Sequence, residues 1–174
     1  IVPGPMEFSY RNYIPLRDLH QMMIALVFPE SVPAHKRFQL TADDLKFLQK
    51  AMAAYPTEST KPGYDSKKVP DGYAKYFFFP DQKDARPNGI RIMSKVGQSY
   101  GYMSEIAYIA DPENGVEFFL SAAIYANANR TMNDGKYEYE TVSRPFLGKL
   151  AYAVLSAERT RPKAVKPDLS DLKW

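Results

Sequence analysis

Between Pro15 and Phe28 the apolar residues Leu16, Leu19, Met22, Met23, Leu26 and Val27 recur three and four apart, the spacing that lines one face of a helix. Pro15 suits the first helical turn and Pro29 ends the run. The Met pair reads as filler for an irregular core gap. A second helix follows: the Thr41 hydroxyl caps an acidic first turn, Asp43-Asp44, and Leu45, Leu48 and Met52 carry the apolar stripe to its end near Ala54. From Tyr55 to Asn88 the periodicity vanishes. Pro56, Pro62, Gly63, Pro70, Gly72, Pro80 and Pro87 surround one aromatic burst, Tyr73 to Phe79, the texture of a long connection with room for one short strand. Such a connection either carries function or wraps the core as a structural loop pinned by Phe77, Phe78 and Phe79.

From Gly89 the period shortens to two. Ile90 to Gly97 alternates, Tyr100 to Ala110 alternates again, and Val116 to Asn127 makes a third run. Asp111-Pro112-Glu113-Asn114-Gly115 between the last two predicts an antiparallel hairpin. In the third run Val116, Phe118, Leu120, Ala122 and Ile124 suit a core face, while Phe119, Ala123 and Tyr125 call for cover on the other. Phe146, Leu147, Leu150, Ala151, Val154 and Leu155, just after Pro145, form the stripe of a C-terminal helix that would supply that cover. The expected fold is α+β, a mainly antiparallel sheet flanked by helices: a helical part over 1–55, a connection over 56–89, strands and the last helix over 90–159, and an extended tail over 160–174.

Composition narrows the functions. The 174 residues include 23 Lys+Arg and 20 Asp+Glu, a net charge of +3 with scattered basic residues, which is a poor footprint for nucleic acid. No apolar run approaches the roughly 18 to 20 residues of a membrane span. With no Cys there is neither a disulfide framework nor a thiol nucleophile. His20 and His35, with Pro29 and Pro33 between them, lack the short spacing of a zinc pair, so neither a metal nor an organic cofactor is expected. The carboxylate pairs Asp43-Asp44 and Glu138 with Glu140 fit a helix N-terminus and a solvated lead-in to a helix. The 13 Tyr and 10 Phe raise the alternatives of a sugar-stacking platform around Tyr73, Tyr76 and Phe77–Phe79 or a packed aromatic loop. The start, Ile1-Val2-Pro3-Gly4-Pro5, has no Met and no secretion-signal pattern, as expected of a processed product or a piece.

The richest stretch chemically is Lys95-Val96-Gly97-Gln98-Ser99-Tyr100-Gly101, an ammonium beside glycine-opened backbone at a strand end, suited to an anionic group or a developing oxyanion. Together with Tyr102-Met103-Ser104-Glu105-Ile106-Ala107 it resembles the third motif of the serine beta-lactamases and penicillin-binding proteins: Lys-Thr/Ser-Gly, followed in class A enzymes by Tyr-Gly, two residues and Asn-Asp-Ile-Ala. Residues 13 to 157 share the order of parts with the C-terminal half of that family.

The resemblance implies a beta-lactamase/transpeptidase-like fold, in part, and a serine hydrolase acting on beta-lactams or cell-wall peptides through a Ser acyl-enzyme. Its Ser-x-x-Lys nucleophile would lie outside this chain, so the chain alone would be inactive. Ser170-Asp171-Leu172-Lys173 matches Ser-x-x-Lys in letters, but in a terminal tail nothing holds the Lys against the Ser. Tyr10-Arg11-Asn12 and Tyr125-Ala126-Asn127 mimic the second motif out of context. By the same resemblance Lys95 supplies positive potential near the substrate carboxylate, the Gln98 N–H is one of two oxyanion donors, and Gly97 keeps the strand open. Val96 stands where the family has a carboxylate-binding hydroxyl, and alternation puts the Ser99 hydroxyl on the Lys95 and Gly97 side instead. The implied setting is bacterial and exported or periplasmic. The implied partners are a beta-lactam or peptidoglycan-derived ligand, and either the missing N-terminal portion or a second copy of the chain. The alternative is a non-catalytic ligand- or peptidoglycan-binding protein that retains the fold.

Overall fold

A computed structural model describes residues 9–10 and 12–170. Trp174, Arg11 and the Asp171-Leu172-Lys173 part of the Ser-x-x-Lys lookalike lie outside them. Helix α1 spans Leu16–Val27 and α2 spans Ala42–Ala53. The Asp44 N–H donates to the Thr41 hydroxyl at 3.2 Å while the Thr41 N–H donates to the Asp44 carboxylate at 3.1 Å, a reciprocal cap that starts α2 where the sequence places it. The Gln49 side chain donates to the Leu26 carbonyl at 2.8 Å and ties the two helices together.

Strands β1 (Arg91–Ser99), β2 (Tyr102–Asp111) and β3 (Val116–Tyr125) form an antiparallel sheet in the order β1-β2-β3. Tyr100 and Gly101, with φ of 50° and 90°, make the two-residue turn between β1 and β2; positive φ at both positions matches the twist of the flanking strands. At the next turn the Asp111 carboxylate accepts from the Asn114 N–H at 3.3 Å, and also pairs with Arg159 at 2.7 Å near the end of the last helix, α3 (Arg144–Thr160).

The register sorts the side chains into two faces. Ile92, Ser94, Val96 and Gln98 share one face with Met103, Glu105, Ala107 and Ile109 and with Val116, Phe118 and Leu120. This face packs on Tyr55, Phe77–Phe79 and, from α3, Leu147, Ala151 and Leu155. Met93, Ile106 and Phe119 face the other way, onto Leu19 and Met23 of α1 and Met52 and Ala53 of α2.

Two expectations are corrected here. The cover on the Phe119 side is α1, not the C-terminal helix: the rings of His20 and Phe28 meet Phe119 edge-on at 5.8 and 5.9 Å, and His20 Nδ1 lies 2.7 Å from the Ser121 hydroxyl. Helix α3 lies on the opposite face because Phe77–Phe79 extend the apolar surface there, and Gly148 lets the helix backbone settle against Pro80. The aromatic burst holds no strand. Phe78 has a φ of 70°, which breaks the extended alternation, and the Phe79 N–H closes a turn onto the Tyr76 carbonyl at 3.0 Å. Phe77, Phe78 and Phe79 are wholly buried, so the segment is the wrapped structural loop.

Among the described residues strand β3 has no strand partner on its outer edge, and Glu117 is its one charged residue. No helix among the described residues is long and apolar enough to cross a membrane.

Candidate functional site

The exposed end of β1 carries the motif residues. Lys95, Gly97 and Ser99 project from one face and Val96 and Gln98 from the other, as alternation requires. Lys95, Gly97, Gln98 and Ser99 are exposed, whereas Val96 is half-buried and packs on the Phe77–Phe79 core. The Tyr76 hydroxyl donates to the Gln98 side-chain oxygen at 3.4 Å, and Lys95 Nζ donates to the Val96 carbonyl at 2.7 Å.

Backbone direction follows from the turn. Ser99 and Tyr102 flank a two-residue hairpin and form its hydrogen-bonded closing pair, so Gln98 and Val96 occupy the intervening positions, whose N–H and C=O groups point away from β2. The Gln98 N–H therefore faces the open edge of the sheet, within one strand of the Lys95 ammonium. That edge can hold an anion or a developing negative charge. Among the described residues nothing adds a nucleophile to it: of the serine hydroxyls in register on β1 and β2, Ser99 and Ser104 lie on the Lys95 face without a hydrogen bond to a base, and Ser94 is buried on the other face, 3.5 Å from Lys75 Nζ. No cluster of three or more metal-ligating side chains occurs among the described residues.

Behind the motif lies a charged group that composition and periodicity do not flag. Glu105, opposite Val96, is completely buried and its carboxylate accepts from the Tyr76 and Phe77 N–H groups at 2.8 and 2.6 Å. Burial raises its pKa; the N–H donors, the Ser94 hydroxyl and the Lys75 ammonium draw it part of the way back. Lys75 is buried as well, donating to the Met52 carbonyl at 2.9 Å and reaching Ser94 Oγ at 3.5 Å. Its ammonium lies 5.2 Å from the centre of the Tyr55 ring, and the Arg86 guanidinium lies 4.2 Å from the same ring. Arg86 is held there by Asp71 and, at 2.7 Å, by Glu58. Glu105 and Tyr76 clamp the connection to the sheet at Val96 and Gln98, while Tyr55 and Glu58, with Arg86 and Asp71 bound to them, hold it beside Arg91 and Ile92 at the start of β1. They are structural supports of the motif strand, and the Glu at the second position of Ser104-Glu105-Ile106-Ala107 is the one sequence signal that could have found them.

The clamp has a pH signature. Burial pushes Lys75 down to about 8, against the pull of the Glu105, Glu58 and Asp71 charges. From pH 8 up to the unfolded lysine value near 10, the unfolded chain holds a proton the folded chain has released, so stability rises by up to about 1.4 kcal/mol per pH unit. Above roughly pH 10 the sign reverses. Burial raises the Tyr55, Tyr76 and Tyr108 hydroxyls, Tyr76 to about 12, so the unfolded chain then loses protons the folded one keeps. Urea denaturation across this range should show a maximum near pH 10, and Lys75→Met should remove the rise that leads to it.

Two further candidates from the sequence separate. Tyr76 and Phe77–Phe79 are buried and Tyr73 alone of that group is exposed, at 58%, so no stacking platform exists there. Asp44 caps α2, Glu140 pairs with Arg144 at 2.8 Å and Glu138 accepts from the Ala128 N–H, so each carboxylate has a local structural task.

Compared with known proteins, the chain matches no family model, no curated protein and no solved structure.

Proposed function

We propose that these residues form the C-terminal portion of a beta-lactamase-related serine hydrolase acting on beta-lactams or cell-wall peptides. The observation that carries the reading is the placement of Lys95-Val96-Gly97-Gln98 at the exposed end of an edge strand, with a cation and an outward backbone N–H side by side. In this reading a Ser outside the 174 residues attacks the substrate carbonyl, its proton passes to a neighbouring base and the Gln98 N–H donates to the oxyanion; the acyl ester forms as the amide C–N bond breaks and the base returns the proton to the leaving nitrogen. Water or an amine then takes the acyl group and frees the Ser. Lys95 attracts the substrate carboxylate, Gly97 admits the substrate backbone along the strand, and Ser99 offers a hydroxyl on the Lys95 side. The open edge of β3 supports the expectation of a further segment, from the same protein or a second copy, completing the sheet. An exported, bacterial setting belongs to the same proposal.

Intact-mass analysis of the full-length protein incubated with benzylpenicillin tests the reading. A stable or transient mass increase is expected, with the acylation rate falling about 100-fold in Lys95→Ala and at least as far in Gln98→Pro, which removes the donor, but not in Gln98→Ala. A full-length protein without Ser-x-x-Lys on a helix, or one that gains no mass, overturns it.

Val96 favours a second reading. Its side chain is apolar and turned into the core where a hydrolase of this type presents a hydroxyl, which suits a non-catalytic binding protein on the same scaffold. Restoring the hydroxyl with Val96→Thr separates the two: faster acylation supports the enzyme, unchanged ligand affinity without acylation supports the binder.

A further inference from the structure

The chain changes sides at the outer edge of β1. Met52 and Ala53 belong to the core on the Met93 face of the sheet, whereas Tyr55 belongs to the core on the Ile92 face. Ala53 to Tyr55 therefore cross that edge near its start. Between the crossing and the strand lies a cleft of about 370 Å³, flanked by Lys50 and Glu58 and closed on the strand side by Arg91 and Ile92. Small-molecule sites typically enclose about 300 to 1,000 Å³.

Charge in this cleft does not balance. Glu58 is already committed: one oxygen takes Arg86 at 2.7 Å and the other accepts the Tyr55 N–H at 3.0 Å. Lys50 and Arg91 are both exposed, and among the described residues neither has a carboxylate partner. One belongs to the last turn of α2 and the other to the start of β1, so two separate elements bring cations to one space. The negative end of α2 is partly offset there, because the Lys50 carbonyl accepts the Ala54 N–H at 3.0 Å and the Met52 carbonyl accepts from Lys75 Nζ at 2.9 Å.

A backbone donor joins the two cations. Counted back from the Tyr100-Gly101 turn, Ile92 sits, like Gln98, at a position whose N–H points away from β2. The residue is 1% exposed, and among the described residues no backbone carbonyl outside the sheet takes this N–H. A buried N–H in that position calls for an acceptor. A single carboxylate would satisfy one cation and leave the other. A phosphate monoester carries about −1.5 to −2 charges at neutral pH and three acceptor oxygens, enough for the Arg91 fork, the Lys50 ammonium and one N–H. Ala53, Ala54 and Tyr55 add an apolar wall that free phosphate would leave bare.

We propose that this cleft binds the phosphate monoester of a small apolar molecule, its phosphate held by Lys50, Arg91 and the Ile92 N–H. None of these groups takes part in the function proposed above, so the site stands or falls separately. The probe is phenyl phosphate, titrated into the 174-residue chain and followed by backbone amide NMR. Phenyl sulfate serves as a monoanion of the same shape, and inorganic phosphate as the anion without an apolar body. Saturable shifts are expected at Ala53–Tyr55 and Arg91–Ile92, with phenyl sulfate and inorganic phosphate each binding about 10-fold more weakly. Lys50→Ala and Arg91→Ala should each weaken phenyl phosphate by about 10-fold, and Arg91→Glu should abolish its binding. Both side chains are exposed, so the thermal melts of these variants should match that of the parent chain. No saturable shift, or undiminished binding in the two alanine variants, overturns the site. Equal binding of phenyl sulfate overturns the demand for a dianion, and equal binding of inorganic phosphate overturns the apolar body.

Discussion

Glu105→Ala is expected to lower the unfolding free energy by about 3 to 5 kcal/mol, enough to leave a marginal domain largely unfolded at 37 °C. The carboxylate is completely buried and accepts from two backbone N–H groups, those of Tyr76 and Phe77. Truncation orphans both donors, each at a cost of about 1 to 3 kcal/mol, and strips the buried Lys75 ammonium of its nearest negative charge. Glu105→Gln separates these contributions. Its amide oxygen still accepts from the two N–H groups, so those donors stay paired while the charge is lost and an amide NH2 takes the place of the partnerless Oε1, and the cost should fall to about half. Adding Lys75→Met to Glu105→Gln should then restore part of the difference, because neither partner remains charged in the core. Urea denaturation of the wild type, Glu105→Gln, Lys75→Met and the double variant closes the cycle; a Glu105→Ala loss below about 1 kcal/mol would contradict the role assigned to the carboxylate.

The second large effect is expected at Gly148. This residue lies in the interior of α3, where alanine is ordinarily the better helix former by about 1 kcal/mol. Here a Cβ would fall 2.4 Å from the Pro80 nitrogen, 2.7 Å from Pro80 Cδ and 2.8 Å from the Phe79 carbonyl carbon. Most of those atoms are backbone, so relief requires moving α3 as a body off the Phe77–Phe79 loop rather than swinging one side chain. Gly148→Ala should therefore destabilise by about 3 kcal/mol net of the helix gain, lowering the melting temperature by roughly 6 to 12 °C. Gly115→Ala is the control, since space is open around that position and only its φ of 59° resists substitution.

The three helices and strands β1 and β2 were readable because each carries a clean period, and β3 because it is an apolar run bounded by turn residues. Leu16 to Val27 repeats at helical spacing, Arg91 to Ser99 at two, and Thr41 with Asp44 marks a helix start that the structure reproduces. What periodicity does not encode is which helix meets which face. β3 is apolar at both Phe118 and Phe119, so pattern alone leaves α1 and α3 interchangeable, and the choice is made by Gly148 against Pro80, a contact between segments far apart in sequence. The Lys75 and Glu105 clamp was hidden for a related reason: charged residues in a pattern read as solvated, and only tertiary packing brings two backbone donors to a carboxylate. Of the candidate site, the division of Lys95, Gly97 and Ser99 from Val96 and Gln98 was legible from alternation. The outward N–H groups of Gln98 and Ile92 required the register, which the turn at Tyr100-Gly101 sets.

The connection between α2 and β1 falls into two mechanical regimes. Residues 61–68 are exposed throughout, whereas Lys75 to Phe79 are locked into the core by Glu105, Met52 and the α3 contacts. A protease reaching Lys67 or Lys68 would sever the chain without releasing either fragment, because the sheet and the clamp hold both sides of the cut. By the same logic an inserted tag or reporter is tolerated at that segment and nowhere else between Tyr55 and Phe79.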